Sequence, residues 1–122
     1  MTRDQAILME HIGGDSFRKL GAHHGLSAMR CHAIYRAETT RHVNEVLLQM
    51  WLAQKCDQLL VLAVPDGLAD DQAAAIRYLD WLLHEFAELG EDIHVHYRPT
   101  LTGAIAFALE DRRLTKLMEE NR

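Results

Sequence analysis

The chain has 122 residues, 48% of them apolar and 25% charged, with two cysteines and a net charge of −5. That length suits one domain or a close pair of subdomains, and the composition is that of a globular chain and excludes a disordered tail protein. No apolar run approaches the ~18 residues that span a bilayer, and the opening MTRDQAILMEHIGGD lacks a basic region followed by an apolar core, so no secretory leader and no membrane partner are expected.

Thr2 with Gln5 three residues later reads as a capping box that opens a first helix, and Gly13-Gly14 closes it. Ile7, Leu8 and His11 recur at helical spacing, so one face of this helix can cover the next two helices from behind. Asp15 or Ser16 caps a second helix running to about His24. Gly25 then permits a tight left-handed turn, Leu26 plugs the angle, and Ser27 caps a third helix with Cys31 and Ile34 pointing inward. From Thr40 to Lys55 a further helix is expected. Val43, Val46, Leu47 and Met50 form its stripe, and Leu48, Trp51 and Leu52 carry the apolar surface most of the way round. Such a helix needs more than one neighbour. It reads either as the joint between two halves that also touches a second subunit, or as a core helix of a monomer.

Gln58 to Val64 is a short apolar run ended by Pro65-Asp66-Gly67, the pattern of a buried strand and a turn. Asp70 or Asp71 opens a helix through Leu89, striped by Ile76, Leu79, Leu82, Leu83, Phe86 and Leu89 and stopped by Gly90. Ile93, Val95 and Tyr97 alternate with His94, His96 and Arg98 as in a half-exposed strand. Pro99 to Gly103 reads as a loop. Residues 104–110 suit helix or strand by composition; alternation of Ile105, Phe107 and Leu109 with alanines favours a strand paired with 93–98. A closing helix covers about Asp111 to Glu120. The fold class is α+β: an N-terminal helix-turn-helix unit with a linking helix (1–56), then a small sheet packed with helices (57–122).

Two helices meeting steeply need a small residue where their backbones approach and apolar residues at the crossing. Gly21 and Gly25 supply the first need, Leu20, Leu26, Cys31 and Ile34 the second. The run Leu20-Gly21-x-x-x-Gly25-Leu26-Ser27-x-x-Arg30-Cys31-x-x-Ile34 resembles the helix-turn-helix of the domain with which sigma factors read the minus-35 promoter element. Arg36-Ala37 adds to the likeness, which covers roughly the first third to two-fifths of the chain. The motif is shared by many repressors and activators. The resemblance implies DNA binding, although Ala28, Met29, His32 and Ala33 stand where sigma factors carry denser basic and polar residues.

In such a motif the second helix lies in the major groove and its first turns meet base edges. The outward positions here are Ser27, Ala28, Met29, Arg30, His32, Ala33 and Arg36. Arginine can bond guanine bidentately, histidine can donate or accept, and Ala28, Met29 or Ala33 can meet a thymine methyl. Ser16, Arg18 and Lys19 at the start of the preceding helix, with Arg41, are the phosphate candidates.

Charge is distributed in a way that suits this reading. Residues 1–56 carry seven Lys or Arg against five acids, and residues 57–122 carry six against thirteen. Five of eight histidines also fall in the first part. A mildly basic front on an acidic body meets DNA with one face. Few cations release few counterions, so useful affinity asks for a homodimer on two half-sites, paired through the broad apolar helix 40–55 or a free edge of the small sheet.

No catalytic residue, cofactor or metal site is expected. There is no nucleophile elbow, P-loop or dinucleotide fingerprint. His94-x-His96 and the adjacent His23-His24 lack the further ligands a zinc site wants, and a polar strand face accounts for the first pair by solvent exposure. Cys31 belongs inside the motif, so no disulfide is expected and the cytoplasm is the default compartment. The expected function is a non-catalytic transcriptional regulator that binds double-stranded DNA. The alternative is an adaptor or inhibitor that meets a protein partner through the acidic C-terminal half.

Overall fold

The computed structural model describes residues 1–65, 68, 72–98 and 106–121, with only the backbone described at 63, 97, 98, 106 and 107. The elements run α1 (Arg3–Ile12), α2 (Phe17–His24), α3 (Ala28–Lys55), β1 (Leu60–Ala63), α4 (Gln72–Glu88), β2 (Ile93–Arg98), β3 (Ala106–Asp111) and α5 (Arg112–Glu120). This is an α+β fold with a helical N-terminal region. No helix among the described residues is long and apolar enough to cross a membrane. The Asp66-Gly67 turn, a start of α4 at Asp70 or Asp71, and the loop at 99–103 lie outside the described residues.

Local sequence chemistry sets the helix starts. The Thr2 hydroxyl accepts from the Gln5 amide at 3.2 Å while the Gln5 side chain accepts from the Thr2 amide at 3.0 Å, so two otherwise unpaired donors are satisfied reciprocally. Ser16 accepts from the Lys19 amide at 3.2 Å, and Ser27 from the Arg30 amide at 3.1 Å. At the far end of α1, Arg77 of α4 donates to the Gly13 carbonyl at 2.9 Å.

The largest departure from the sequence reading is α3. The expected third helix and the expected helix from Thr40 are one continuous element of 28 residues, about 42 Å long at 1.5 Å per residue. No glycine or proline interrupts residues 28–55. The Thr40 hydroxyl folds back to donate to the Arg36 carbonyl at 3.2 Å, a local bond that lets threonine sit inside a helix.

The three strands form an antiparallel sheet in the order β1-β3-β2, with Leu60 and Val95 both opposite Leu109, and Ala108 between Val61 and His96. The expected pairing of 93–98 with the 104–110 segment is present over Ala106–Asp111; residues 104 and 105 lie outside the described residues. The buried strand expected at 58–64 is instead an edge strand. Val61 is exposed while Leu60 and Leu62 are only half-buried, and β1 borders only β3 among the described residues. The α4 stripe also shifts. Leu79, Leu82 and Phe86 are buried as expected, Leu83 is half-buried, and Ile76 and Leu89 are exposed; Ala74, Ala75 and Tyr78 take the inner face.

Among the described residues the apolar side chains gather into two clusters. The larger draws Leu8, Met9 and Ile12 from α1, Val43, Val46 and Met50 from α3, Tyr78, Leu82 and Phe86 from α4, and Leu109 from β3. It therefore joins residues from both sides of residue 56. The smaller consists of Ile7, Leu20, Cys31 and Ile34, with Phe17 and Leu26 packed against it. Helix α1 serves both, Ile7 facing one cluster and Leu8 the other.

Candidate nucleic-acid interface

The geometry between α2 and α3 follows from two glycines. Gly25 adopts φ 69° and ψ 33°, the left-handed conformation that penalises a side chain. A Cβ on Gly21 would lie 2.4 Å from the Leu26 carbonyl oxygen, so only glycine allows α2 to approach the turn this closely. With Leu20 and Cys31 fully buried at the crossing, the helical period turns the residues between and after Cys31 and Ile34 to the outside.

All eleven candidate residues are exposed: Ser16, Arg18, Lys19, Ser27, Ala28, Met29, Arg30, His32, Ala33, Arg36 and Arg41. Met29 is 85% exposed, so nothing among the described residues covers the start of α3. Their chemical states differ. Ser16 and Ser27 spend an oxygen lone pair on capping, which leaves each hydroxyl a proton to donate. Lys19 pairs with Asp15 at 3.1 Å and Arg41 with the buried carboxylate of Glu38 at 3.4 Å. Arg18, Arg30 and Arg36 have no acidic partner among the described residues. Among the candidate residues, these guanidinium groups are left open to an external anion.

His32 is held by an aromatic chain that the sequence reading missed. Its ring stands edge-on to Phe17, with centroids 5.0 Å apart and planes at 87°. Phe17 stacks on His11 at 4.1 Å, and the His11 Nδ1–H donates to the Asp15 carbonyl at 2.8 Å. Tyr35 meets His11 edge-on at 4.6 Å and accepts from the Trp81 indole at 2.9 Å. The outer imidazole is thus oriented by contacts that reach α4. The aromatic and histidine residues at 11, 17, 32 and 35 were legible only as separate positions.

Beyond this face, Leu48, Trp51 and Leu52 are exposed on α3, with the Lys55 ammonium 4.0 Å above the Trp51 ring. The strand pair His94 and His96 is not simply solvated. Arg112 donates to His94 Nδ1 at 2.9 Å, and His96 Nε2 lies 3.6 Å from Glu110. On the inner side of α3, His42 Nε2 lies 2.7 Å from the Tyr78 hydroxyl. Burial lowers the His42 pKa against a smaller opposing pull from Glu45, and burial pushes the Tyr78 hydroxyl well above its ordinary value. A neutral imidazole accepting from a protonated Tyr78 satisfies both.

A second group of ionisable residues meets behind the turn. His24 Nε2 lies 2.8 Å from one Glu10 oxygen, and His23 Nδ1 lies 3.4 Å from the other. Comparison with protein-family models, curated proteins and solved structures returns no match to this chain.

Proposed function

We propose that the protein binds double-stranded DNA through α2, the Gly25 turn and the first three turns of α3, acting as a homodimeric transcriptional regulator. One observation carries the reading: an uncovered helix start bearing Arg30, His32 and Arg36, flanked by Arg18 on α2, with the three arginines free of acidic partners among the described residues. A guanidinium without an internal partner is ready to meet a base edge or a phosphate. The N-terminal ends of α2 and α3, where Ser16 and Ser27 already hold one amide each, add partial positive charge. The sigma-like spacing of Leu20, Gly21, Gly25, Leu26 and Cys31 agrees with this use. For the second copy, the exposed Leu48, Trp51 and Leu52 on α3 offer an apolar surface beyond the reading end.

The test is selection of bound fragments from random duplex DNA at low salt, followed by gel shifts with the selected site. Arg36→Ala combined with His32→Ala is expected to abolish retention while leaving helix content and oligomeric state unchanged. Arg36→Ala alone is expected to reduce the slope of log affinity against log salt by about 1 if Arg36 meets a phosphate, or to relax one base position if it reads a base. Failure of the wild-type chain to retain any fragment, or equal retention by the double variant, overturns the proposal.

A further inference from the structure

We propose that Glu10, His23 and His24 form a binding site for a divalent transition-metal ion of the zinc class, closing α1 onto the last turn of α2. The three ligand atoms lie within 4.8 Å of one another although Glu10 is separated from the histidines by an entire turn of the chain. Packing of α1 against α2 brings them together. Tetrahedral zinc with ligands at about 2.0 Å places neighbouring donor atoms about 3.3 Å apart. The contacts of 2.8 Å from His24 and 3.4 Å from His23 to the two carboxylate oxygens bracket that spacing. Those contacts run to different oxygens of Glu10, so side-chain rotation must draw ligand atoms now within 4.8 Å of one another in to that spacing.

The arrangement exceeds what a simple ion pair needs. One hydrogen bond from His24, whose side chain is 14% exposed, would satisfy a single Glu10 oxygen. Here the second oxygen faces a second imidazole, and the two rings sit 4.5 Å apart at 36°. His23 is 64% exposed, so the ion would be reached from solvent and retain a water in its fourth position. Two imidazoles and one carboxylate favour zinc and its neighbours over calcium or magnesium, which take oxygen ligands. The other paired histidines are poorer ligands, because the Arg112 guanidinium occupies His94 Nδ1.

The site lies directly before Gly25, so the ion would tie the turn to α1. On the DNA-binding reading this stiffens the reading end, but the site stands without that reading and is tested without DNA. The full chain, stripped with a chelator, is titrated with Zn²⁺ against a chromophoric competitor and with Co²⁺ by visible absorption. One equivalent per chain is expected, with a rise in thermal midpoint on adding Zn²⁺. His23→Ala removes an exposed ligand without touching a core, and is expected to weaken binding at least about tenfold and to cancel the thermal shift. Glu10→Gln is expected to weaken binding as well, and His94→Ala/His96→Ala to leave it unchanged. Equal affinity of wild type and His23→Ala, or loss of the ion from the His94→Ala/His96→Ala chain instead, overturns the proposal.

Discussion

Replacing Gly21 by alanine tests the physical basis of the candidate interface. The added methyl would sit 2.4 Å from the Leu26 carbonyl oxygen and 3.4 Å from the Ala28 amide nitrogen. Real carbon–oxygen contacts are about 1 Å longer than the first value, and a backbone atom cannot swing away as a side chain can. Overpacking of this kind costs about 3 kcal/mol at the upper end of its usual range, while alanine returns about 1 kcal/mol of helix propensity over glycine. The expected net loss is about 2 kcal/mol. With a urea dependence of roughly 2 kcal/mol per molar, the unfolding midpoint should fall by about 1 M. Gly25→Ala is the control: nothing lies within 4 Å of its Cβ position, and the left-handed backbone alone should cost about 1–2 kcal/mol. Asparagine at 25 should recover part of that, and asparagine at 21 none. A neutral or stabilising Gly21→Ala would mean that α2 and the turn can separate freely, and the close approach would no longer define the interface.

Two further predictions concern the inner side of α3. The Thr39 hydroxyl is buried without a hydrogen-bond partner among the described residues; Thr39→Val keeps the shape and should stabilise by about 1 kcal/mol in urea unfolding, whereas destabilisation would show that the hydroxyl is satisfied in solution. His42 has a folded-state pKa below its ordinary 6.5, so the unfolded chain takes up a proton more readily. Stability should therefore hold above pH 6.5 and fall as the pH drops through and below it. His42→Gln, which can still meet the Tyr78 hydroxyl, should flatten that decline when urea midpoints at pH 7.5 and 5 are compared with wild type, and an unchanged slope would refute the assignment.

Features set by a few neighbouring residues were legible from sequence. The caps at Thr2, Ser16 and Ser27, the left-handed Gly25 and the inward Cys31 and Ile34 each follow from short-range sterics or hydrogen bonding. Continuity of α3 was hidden because its buried stripe passes through polar residues. Glu38, Thr39 and Gln54 all lie inside, and a pattern reading takes such positions for surface. Gln54 is tolerated because it donates to the Asp111 carbonyl and the Thr115 hydroxyl and accepts from the Asp111 amide; none of these partners is near in sequence. Tyr78 was overlooked on α4 for a related reason, since its hydroxyl is satisfied by His42 from another helix. The meeting of Glu10 with His23 and His24 likewise depends on how two helices pack, which residue spacing does not encode. For the outward face, the sequence indicated which residues would be exposed but not which would already be paired: Lys19 and Arg41 hold acids, while Arg18, Arg30 and Arg36 hold none among the described residues.

The unbroken length of α3 has a mechanical consequence. Its first turns carry the exposed arginines, and its remainder is clamped between α1, α4 and the sheet. A rod with no joint transmits any tilt of the body directly to its tip. In a symmetric pair assembled through the body, the distance between the two tips would be set by that assembly and not by a flexible tether. If the proposed DNA binding holds, such a pair should discriminate sharply against sites whose halves are moved apart by even a few base pairs, because each added pair both lengthens the separation and rotates the second half around the duplex.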